Sequence, residues 1–489
     1  MSDEKSPPHR PVPAERTEQT FHRTVIDGRS VAYQATAGVL HLKGSREEPQ
    51  AGLFFVAYHV DAEPDAPERP ITFCFNGGPG SASVWLHLGA FGPRRVEMPD
   101  PELPPPPPYQ LVDNAEGLLD LTDLVFIDPV GTGFSRGGEA GGDGAWQSVK
   151  ADVDAVAEFV WRYLQRTGRW NAPRFIAGES YGSTRAAALA LVLQEKGLMI
   201  NGLMLVSPAI TFQPLCFDPG NDLPYQAFLP SYAATAWYHD RLPHKPADLH
   251  DFLAEVRRFA EDVYGPALMR GARITDAEAA RVAEALHRYT GLPVADLLAA
   301  DLRITDARFT KAVLREPKQT VGRLDSRFRG PDTSPHSHTS ERDPSYDGPL
   351  GAYAGLINLY VRRTLGFDPP EPYVVFSTEA NEKWRWYEKP EELTGYIEVA
   401  DRLRRAMIAN PHLKVFVANG YYDLATPFYG TEHAVDHLGL DRSLRGGLQL
   451  AWYPAGHMMY LRALPAGPAG GPLGLVQNGR LRLLISPDY

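Results

Sequence analysis

The sequence lacks the features that mark several large classes of protein. It has only two cysteines, Cys74 and Cys216, in 489 residues, which argues against a secreted fold framed by disulfides. It contains no run of the roughly 18 consecutive apolar residues that a transmembrane helix requires. Basic residues are also in the minority, because the formal net charge is −11. We therefore expect neither a nucleic-acid partner nor attachment to a membrane surface.

The first residues of the chain are equally poor in structural signals. They are polar and rich in proline, and they contain no apolar stretch typical of a secretory signal. We predict that residues 1–20 form a disordered tail and that the protein is cytoplasmic. The chain as a whole is 43% hydrophobic, which is enough for a large buried core.

The most informative stretch lies at residues 174–190. Residues 175–177 are apolar and predict the end of a buried strand, whereas residues 184–195 are rich in Ala and Leu and predict a helix. Between them lies Gly178-Glu-Ser-Tyr-Gly182. A serine flanked by glycines at a strand-to-helix junction can adopt the cramped backbone that exposes its hydroxyl. The pattern indicates a nucleophile elbow at Ser180, although a serine that merely caps a helix is the alternative.

Strands and helices alternate along most of the chain. Residues 21–42 alternate in polarity around an Asp-Gly turn and predict an antiparallel hairpin at a sheet edge. Residues 146–166 carry apolar side chains at helical spacing. Apolar runs predict buried strands at 53–60, 71–75, 123–128, 203–206, 413–418 and 448–453. This order predicts an α/β fold with a mostly parallel central sheet flanked by helices.

The pattern changes after residue 213. Residues 214 to about 329 are helical in pattern, with no strand signal of comparable strength. They predict a cap inserted over the carboxyl edge of the sheet, where a substrate would bind. Residues 330–349 are rich in Ser, Pro, Asp and His and predict a flexible loop. The predicted organisation is therefore a core from 21–213, a helical cap insertion from 214–349, and the second part of the core from 350–489.

Polar turns follow several of the predicted strands. The turn Asn76-Gly-Gly-Pro-Gly80 is rich in glycine and would present the bare backbone N–H groups that an oxyanion hole requires. Asp423 and His457 each follow a later strand. Ser180, Asp423 and His457 match the chain order of nucleophile, acid and base in α/β-hydrolases. Weaker candidates lie in a predicted helix, in the flexible loop or away from a strand end: His433, His437, His336, His338, Asp436 and Asp441.

Together these motifs resemble the serine carboxypeptidase family. The matching blocks are residues 76–80, 128–135, 178–182, the Asp423 turn and residues 456–458. The resemblance implies an α/β-hydrolase fold with a helical cap. It also implies a serine-type carboxypeptidase that removes C-terminal residues from peptides with a free C-terminus, through an acyl-enzyme on Ser180.

The resemblance also implies roles for residues around the serine. It implies oxyanion donors in the backbone N–H groups of Gly78 and Tyr181, and a site for the substrate's terminal carboxylate at Asn76, Gly77 and Glu179. A carboxylate facing another carboxylate must share a proton with it, so Glu179 would favour acidic conditions. The alternative for Glu179 is an exposed side chain that complements a helix dipole. No metal or organic cofactor is implied, and the oligomeric state stays open.

The sequence also departs from the family pattern. Ala90 stands where the family has a second carboxylate-binding glutamate, and Ser81 stands where it usually has a disulfide cysteine. Residues 464–489 lack the helix expected at the end of the fold and predict at most a hairpin around Asn478-Gly479. Ala90 leaves open an esterase or acyltransferase that uses the same three catalytic residues. A non-catalytic binding protein that has kept the fold is a further alternative.

Overall fold

The computed structural model describes residues 12–43, 48–61, 67–98, 106–138, 142–334, 336–387 and 395–461. Within these ranges no helix is long and apolar enough to cross a membrane. The hairpin predicted around Asn478 lies outside them, as do residues 1–11 of the predicted tail. Residues 17–20 were predicted as part of that tail, but they begin the first strand, where Thr17 pairs with Gly38.

The strands of the described residues follow the apolar runs closely. They are β1 (Thr17–Ile26), β2 (Arg29–Lys43), β3 (Pro49–His59), β4 (Ile71–Phe75), β5 (Arg94–Val96), β6 (Leu111–Asp113), β7 (Asp123–Ile127), β8 (Arg136–Gly137), β9 (Arg174–Glu179), β10 (Gly202–Val206), β11 (Gln319–Val321), β12 (Arg329–Pro331), β13 (Lys414–Gly420) and β14 (Leu448–Tyr453).

Ten of these strands form one central sheet. Its order is β1-β2-β3-β7-β4-β9-β10-β13-β14, and β8 pairs with β3. The hairpins β1 to β3 are antiparallel, whereas the strands from β7 to β14 in this order are parallel to one another. Every residue of β4, β7 and β10 is buried, as expected for parallel strands covered on both faces. The predicted mostly parallel sheet flanked by helices is confirmed.

The helices of the described residues are α1 (Val149–Thr167), α2 (Tyr181–Glu195), α3 (Leu223–Tyr238), α4 (Leu249–Phe259), α5 (Gly265–Arg270), α6 (Asp276–Thr290), α7 (Val294–Ala299), α8 (Asp306–Ala312), α9 (Pro344–Leu359), α10 (Thr378–Glu382), α11 (Ala400–Ala409), α12 (Phe428–Asp436) and α13 (Arg442–Arg445). A short π-type helix, Leu86–Phe91, follows the glycine-rich turn after β4.

The sheet separates two apolar layers. Alternate residues of one strand enter different layers, as Phe175 and Ile176 of β9 illustrate. Ile176 packs in the layer that α1, α2 and α11 cover, and Phe175 packs in the layer that includes α9. The amphipathic α1 begins at Ser148, whose side chain caps it by accepting from Ala151 N, and ends at Gly168 with φ of 71°. This packing holds the carboxyl ends of the parallel strands in fixed positions.

The segment between β10 and β13 contributes α3 to α8 and has its own apolar cluster. It also contains two short strands that the sequence did not signal, β11 and β12, which pair antiparallel. Each strand has only three residues, too few for an alternating pattern to be visible. The predicted loop at 330–349 is also shorter than expected, because α9 begins at Pro344. The Asp343 side chain caps α9 by accepting from Ser345 N.

Candidate active site

A cavity of about 680 Å³ opens at the carboxyl edge of the sheet, next to residues 323–324 and 341–343 and the start of α9. It is lined by seven of the residues singled out from the sequence: Asn76, Gly77, Gly78, Glu179, Ser180, Tyr181 and His457. Asp423, the eighth, is fully buried behind His457. Aromatic side chains form much of the remaining wall, including Trp85, Phe212, Tyr346, Phe376 and Trp386. The structure thus brings together groups that lie far apart in the sequence.

Ser180 sits in the turn between β9 and α2. Its φ of 59° and ψ of −129° are unusual for a residue with a side chain, and such strained backbone is common at functional sites. The flanking glycine allows this turn to be tight, because a Cβ on Gly182 would lie 2.8 Å from Phe75 O. Ser180 N also donates to Val206 O at 3.0 Å, which fixes the turn to β10. The serine is therefore held at the mouth of the cavity by rigid elements.

His457 and Asp423 form a hydrogen-bonded pair. Nδ1 of His457 lies 2.7 Å from Oδ2 of Asp423. Asp423 Oδ1 accepts from the backbone N–H groups of Ala425 and Thr426, at 2.7 and 2.9 Å, and Oδ2 accepts from the Thr426 hydroxyl at 2.8 Å. Because an ionised carboxylate only accepts, Nδ1 carries the proton and Nε2 is left to act as a base.

The pKa of His457 reflects two opposing effects. Burial lowers the pKa, but the charge of Asp423 and its hydrogen bond raise it more, so that the pKa lies above the ordinary value of 6.5. Glu179 acts in the same direction through its charge. The imidazolium form of His457 is thereby stabilised, which is what a base that must carry a proton transiently requires.

A segment of the cap, residues 322–328, joins the turns that carry Asp423 and His457, and we call it the clasp. On the acid side, Ser326 N donates to Tyr422 O at 2.9 Å, and Leu424 N donates to the carbonyl of Arg323 at 3.0 Å. These bonds fix the residues on both sides of Asp423. The acid turn is therefore secured to the inserted segment and not only to its own strand.

The clasp also bonds the turn that carries the histidine. His457 N donates to Leu324 O at 2.6 Å, and Gly456 N donates to Oδ2 of Asp325 at 3.2 Å. Arg327 donates through Nη1 to Pro454 O at 2.6 Å. Asp325 and Arg327 are both buried. No local pattern in the sequence distinguishes these residues from other charged residues of the cap, so they were not singled out.

The glycine-rich turn after β4 packs tightly against the start of α2 beside Ser180. A Cβ on Gly77 would lie 2.5 Å from Tyr181 N, so only glycine allows the two backbones to approach this closely. Gly78 follows with φ of +100°. Tyr181 is the first residue of α2, so its N–H has no acceptor within the helix. N–H groups at a helix start are suited to stabilising negative charge.

Glu179 is buried and points into the cavity from the end of β9. Its exposed fraction is 3%, so the alternative of an exposed glutamate is wrong. The Tyr460 hydroxyl donates to Oε2 of Glu179 at 2.6 Å, and the Asn76 side chain also hydrogen-bonds the carboxyl group. Burial raises the pKa of Glu179 to about 7, although the charge of His457 and the Tyr460 hydrogen bond oppose this. Glu179 can therefore hold a proton near neutral pH.

A buried ion pair is hydrogen-bonded to the glycine-rich turn after β4. Arg185 Nε donates to Oδ2 of Asp152 at 2.7 Å, and Arg185 Nη1 donates to Asn76 O at 2.7 Å. The Tyr181 hydroxyl donates to the same Asp152 oxygen at 3.1 Å. Arg185 is fully buried. The pair thus connects α1, α2 and the turn after β4, a link that the sequence analysis did not identify.

The fold is shared with a known carboxypeptidase. The crystal structure of a prohormone-processing carboxypeptidase from Saccharomyces cerevisiae matches with a TM-score of 0.57 at 16% identity, covering 92% of this chain and 91% of that one. At this identity the match establishes the fold alone. The fold, with a serine, a histidine and an aspartate after its strands, defines an α/β-hydrolase.

Sequence comparison relates parts of the chain to particular families of serine peptidases. A family model described as serine carboxypeptidase matches residues 28–209, and one described as serine aminopeptidase matches residues 122–317. Serine carboxypeptidase-like 46 of Arabidopsis thaliana is 27% identical over 189 residues, 37% of each chain. The pheromone-processing carboxypeptidase KEX1 of Candida albicans is 24% identical over 156 residues, 30% of this chain and 20% of that protein. The matches thus span about a third or less of these relatives' length. Over residues 28–209 the chain is similar to the serine carboxypeptidase family.

Proposed function

We propose that this protein is a serine hydrolase that removes C-terminal residues from peptides. In this proposal the hydroxyl oxygen of Ser180 attacks the last peptide carbonyl, and Nε2 of His457 takes the hydroxyl proton. Asp423 keeps the imidazole in the required tautomer and stabilises its positive charge. When the C–N bond breaks, His457 passes the proton to the departing amino group. Water then attacks the acyl-enzyme and releases the shortened peptide.

The carbonyl oxygen of the substrate becomes negatively charged in each step and needs hydrogen-bond donors. The N–H groups of Gly78 and Tyr181 are the proposed pair, since both line the cavity beside Ser180. Removing one such donor in other hydrolases costs about 10²- to 10³-fold in rate. The N-terminal end of α2 adds a favourable dipole at the same place.

The observation that carries the proposal is the buried carboxyl of Glu179 beside Ser180. A buried acid with a pKa of about 7 can donate its proton to a peptide's terminal carboxylate. Asn76 and Gly77 line the same part of the cavity and would complete the carboxylate site. An ester or amide end has no carboxylate with which Glu179 could share a proton, so the site would favour a free C-terminus.

A direct test compares three substrates that differ only at the last group: a blocked dipeptide as its free acid, its C-terminal amide and its methyl ester. We expect kcat/KM at pH 6 to favour the free acid over the amide by at least about 100-fold, a difference of about 2.7 kcal/mol. Glu179→Gln should remove most of this preference, and Ser180→Ala should abolish turnover of all three.

The same experiment tests the alternative that Ala90 suggests. Ala90 lies in the π-type helix Leu86–Phe91, and the resemblance to the family implies a second acid at this position. Rapid hydrolysis of the ester with no preference for the free acid would replace the peptidase proposal with an esterase or acyltransferase. Labelling with a fluorophosphonate addresses the non-catalytic alternative, because an unreactive Ser180 in folded protein would rule out every enzyme proposal.

A further inference from the structure

The hydroxyl of Tyr460 bonds the carboxyl of Glu179, a residue that lines the cavity. Tyr460 lies in the turn after β14, three residues beyond His457, and it is buried. Its hydroxyl donates to Oε2 of Glu179 at 2.6 Å. Glu179 lines the cavity, whereas Tyr460 does not. Tyr460 therefore acts on a ligand through the cavity groups that it bonds, the Glu179 carboxyl and the Asn76 side chain.

The tyrosine ring fills space next to the helix that carries Ala90. A Cβ on Gly89 would lie 2.6 Å from Cε2 of Tyr460, so the ring is packed directly against this helix. Gly89 thus makes room for the aromatic ring. The absence of a side chain at position 89 thus lets the ring pack where its hydroxyl donates to Glu179.

We propose that Tyr460 is a specificity-determining positioning residue, which sets the pH range over which Glu179 accepts a free C-terminal carboxylate. The proposal rests on the proposed function and specifies which residue sets the pH dependence of its carboxylate recognition. A tyrosine hydroxyl remains a neutral donor across the working pH range. Recognition of the terminal carboxylate therefore depends on the protonation of Glu179 and not on that of Tyr460.

The hydrogen bond acts on Glu179 in a defined direction. A donor to a carboxyl group stabilises its charged form and so lowers its pKa. Burial, the largest effect, raises the pKa of Glu179 to about 7, and the Tyr460 bond is among the effects that hold it down. The other ionisable groups that face Glu179 are His457 and Asp423, on the turns after β14 and β13, and Tyr353 on α9. Without the Tyr460 hydroxyl, Glu179 would keep its proton to higher pH.

Tyr460→Phe tests this inference because it removes the hydroxyl and keeps the ring. Activity on a free-acid dipeptide falls at high pH as Glu179 loses its proton. We expect the variant to move this upper limit upward by about one pH unit, since a hydrogen bond to a charged group contributes roughly 1.5–3 kcal/mol. At pH 8 the ratio of kcat/KM for free acid over amide should rise about fivefold, because the protonated fraction of Glu179 rises from roughly a tenth to a half. The profile for the amide should keep its shape.

The matched control is Tyr353→Phe. Tyr353 is a buried tyrosine that packs beside the same helix, with its hydroxyl 2.7 Å from the position of a Cβ on Gly89. The control removes a hydroxyl near Glu179, and its free-acid limit should stay at the wild-type pH. In a Glu179→Gln background, Tyr460→Phe should no longer change the free-acid profile, because the group that titrates is gone.

A second variant keeps the inference testable if Tyr460→Phe does not fold. Incorporation of 3-fluorotyrosine at position 460 keeps the shape and makes the hydroxyl a better donor, so it should move the free-acid limit to lower pH. Equal losses on free acid, amide and ester at every pH, or an unmoved limit in both variants, would overturn the inference while leaving the proposed function in place. A wild-type protein without free-acid preference would instead overturn the proposed function.

Discussion

Asp325 and Arg327 form a buried ion pair in the clasp, and each of them also bonds the turn that carries His457. Nη2 of Arg327 lies 2.6 Å from Oδ2 of Asp325, and the same carboxyl oxygen accepts from Gly456 N. Arg327 reaches Pro454 O with its other terminal nitrogen. The inserted segment is therefore part of the frame of the candidate active site, in addition to being its cover.

This pair predicts an effect of a distant substitution on Ser180. Arg327→Met leaves Asp325 as a buried charge without its partner and frees the carbonyl of Pro454. We expect fluorophosphonate labelling of Ser180 to slow by roughly 10- to 100-fold, because small misplacements of a base have large effects on rate. The control is Arg329→Met, an exposed arginine two residues away, which should label at the wild-type rate. Equal labelling of both variants would contradict this role of the clasp.

Asp423 predicts a large effect on turnover with little effect on folding. Asp423→Asn preserves the shape of the side chain but removes the charge that fixes the tautomer of His457, so kcat should fall on the order of 10⁴-fold. Asp436→Asn, on the exposed side of α12, should leave kcat unchanged. The measurement is steady-state hydrolysis of an activated ester, with thermal unfolding to verify that both variants fold.

The pH dependence should differ between substrates with and without a free carboxylate. His457 must be neutral to act as a base, and its pKa is raised above 6.5, so ester hydrolysis should rise with pH to a half-maximum above pH 6.5. Free-acid trimming also needs the proton of Glu179, whose pKa is raised to about 7. It should therefore fall again as the pH passes about 7. Kinetic profiles of the two substrates on one preparation would separate these limits, and superimposable profiles would contradict the assignment of Glu179.

The pair between Asp152 and Arg185 predicts an effect on stability. Arg185→Met leaves the Asp152 carboxylate buried without its partner, and breaking such a pair costs roughly 3–5 kcal/mol of unfolding free energy. The control is Arg405→Met, which removes an ion pair with Glu195 in which both side chains are about half exposed. It should stay within about 1 kcal/mol of wild type. Urea unfolding of the two variants measures the difference.

Much of the fold could be predicted from the sequence because its signals are local. The apolar runs that became β4, β7 and β10 are short, continuous and bounded by polar turns, so their ends were predicted to within a residue or two. The pair of three-residue strands in the cap carries no such pattern. The start of α9 was missed because Asp343 and Pro344, which are good helix-start residues, lie in a stretch whose composition resembles a loop.

The candidate site could be predicted only in part, because only some of its residues carry a local signal in the sequence. Ser180, Asp423 and His457 follow strands that must end at one edge of a parallel sheet, so their proximity could be inferred from order alone. Tyr460 and Arg185 act through contacts between distant segments, and their neighbours in sequence give no sign of these partners. The catalytic roles of the three residues and the cytoplasmic location of the protein stay predictions.

The order of the strands has a consequence for a chain that is still being synthesised. The serine lies at residue 180, but the histidine lies in the turn after β14, the edge strand of the sheet in the described residues, which emerges nearly three hundred residues later. A nascent polypeptide can complete β9 and α2 long before it possesses a base. The candidate nucleophile and the candidate base can therefore meet only after nearly the whole of the described chain has been synthesised.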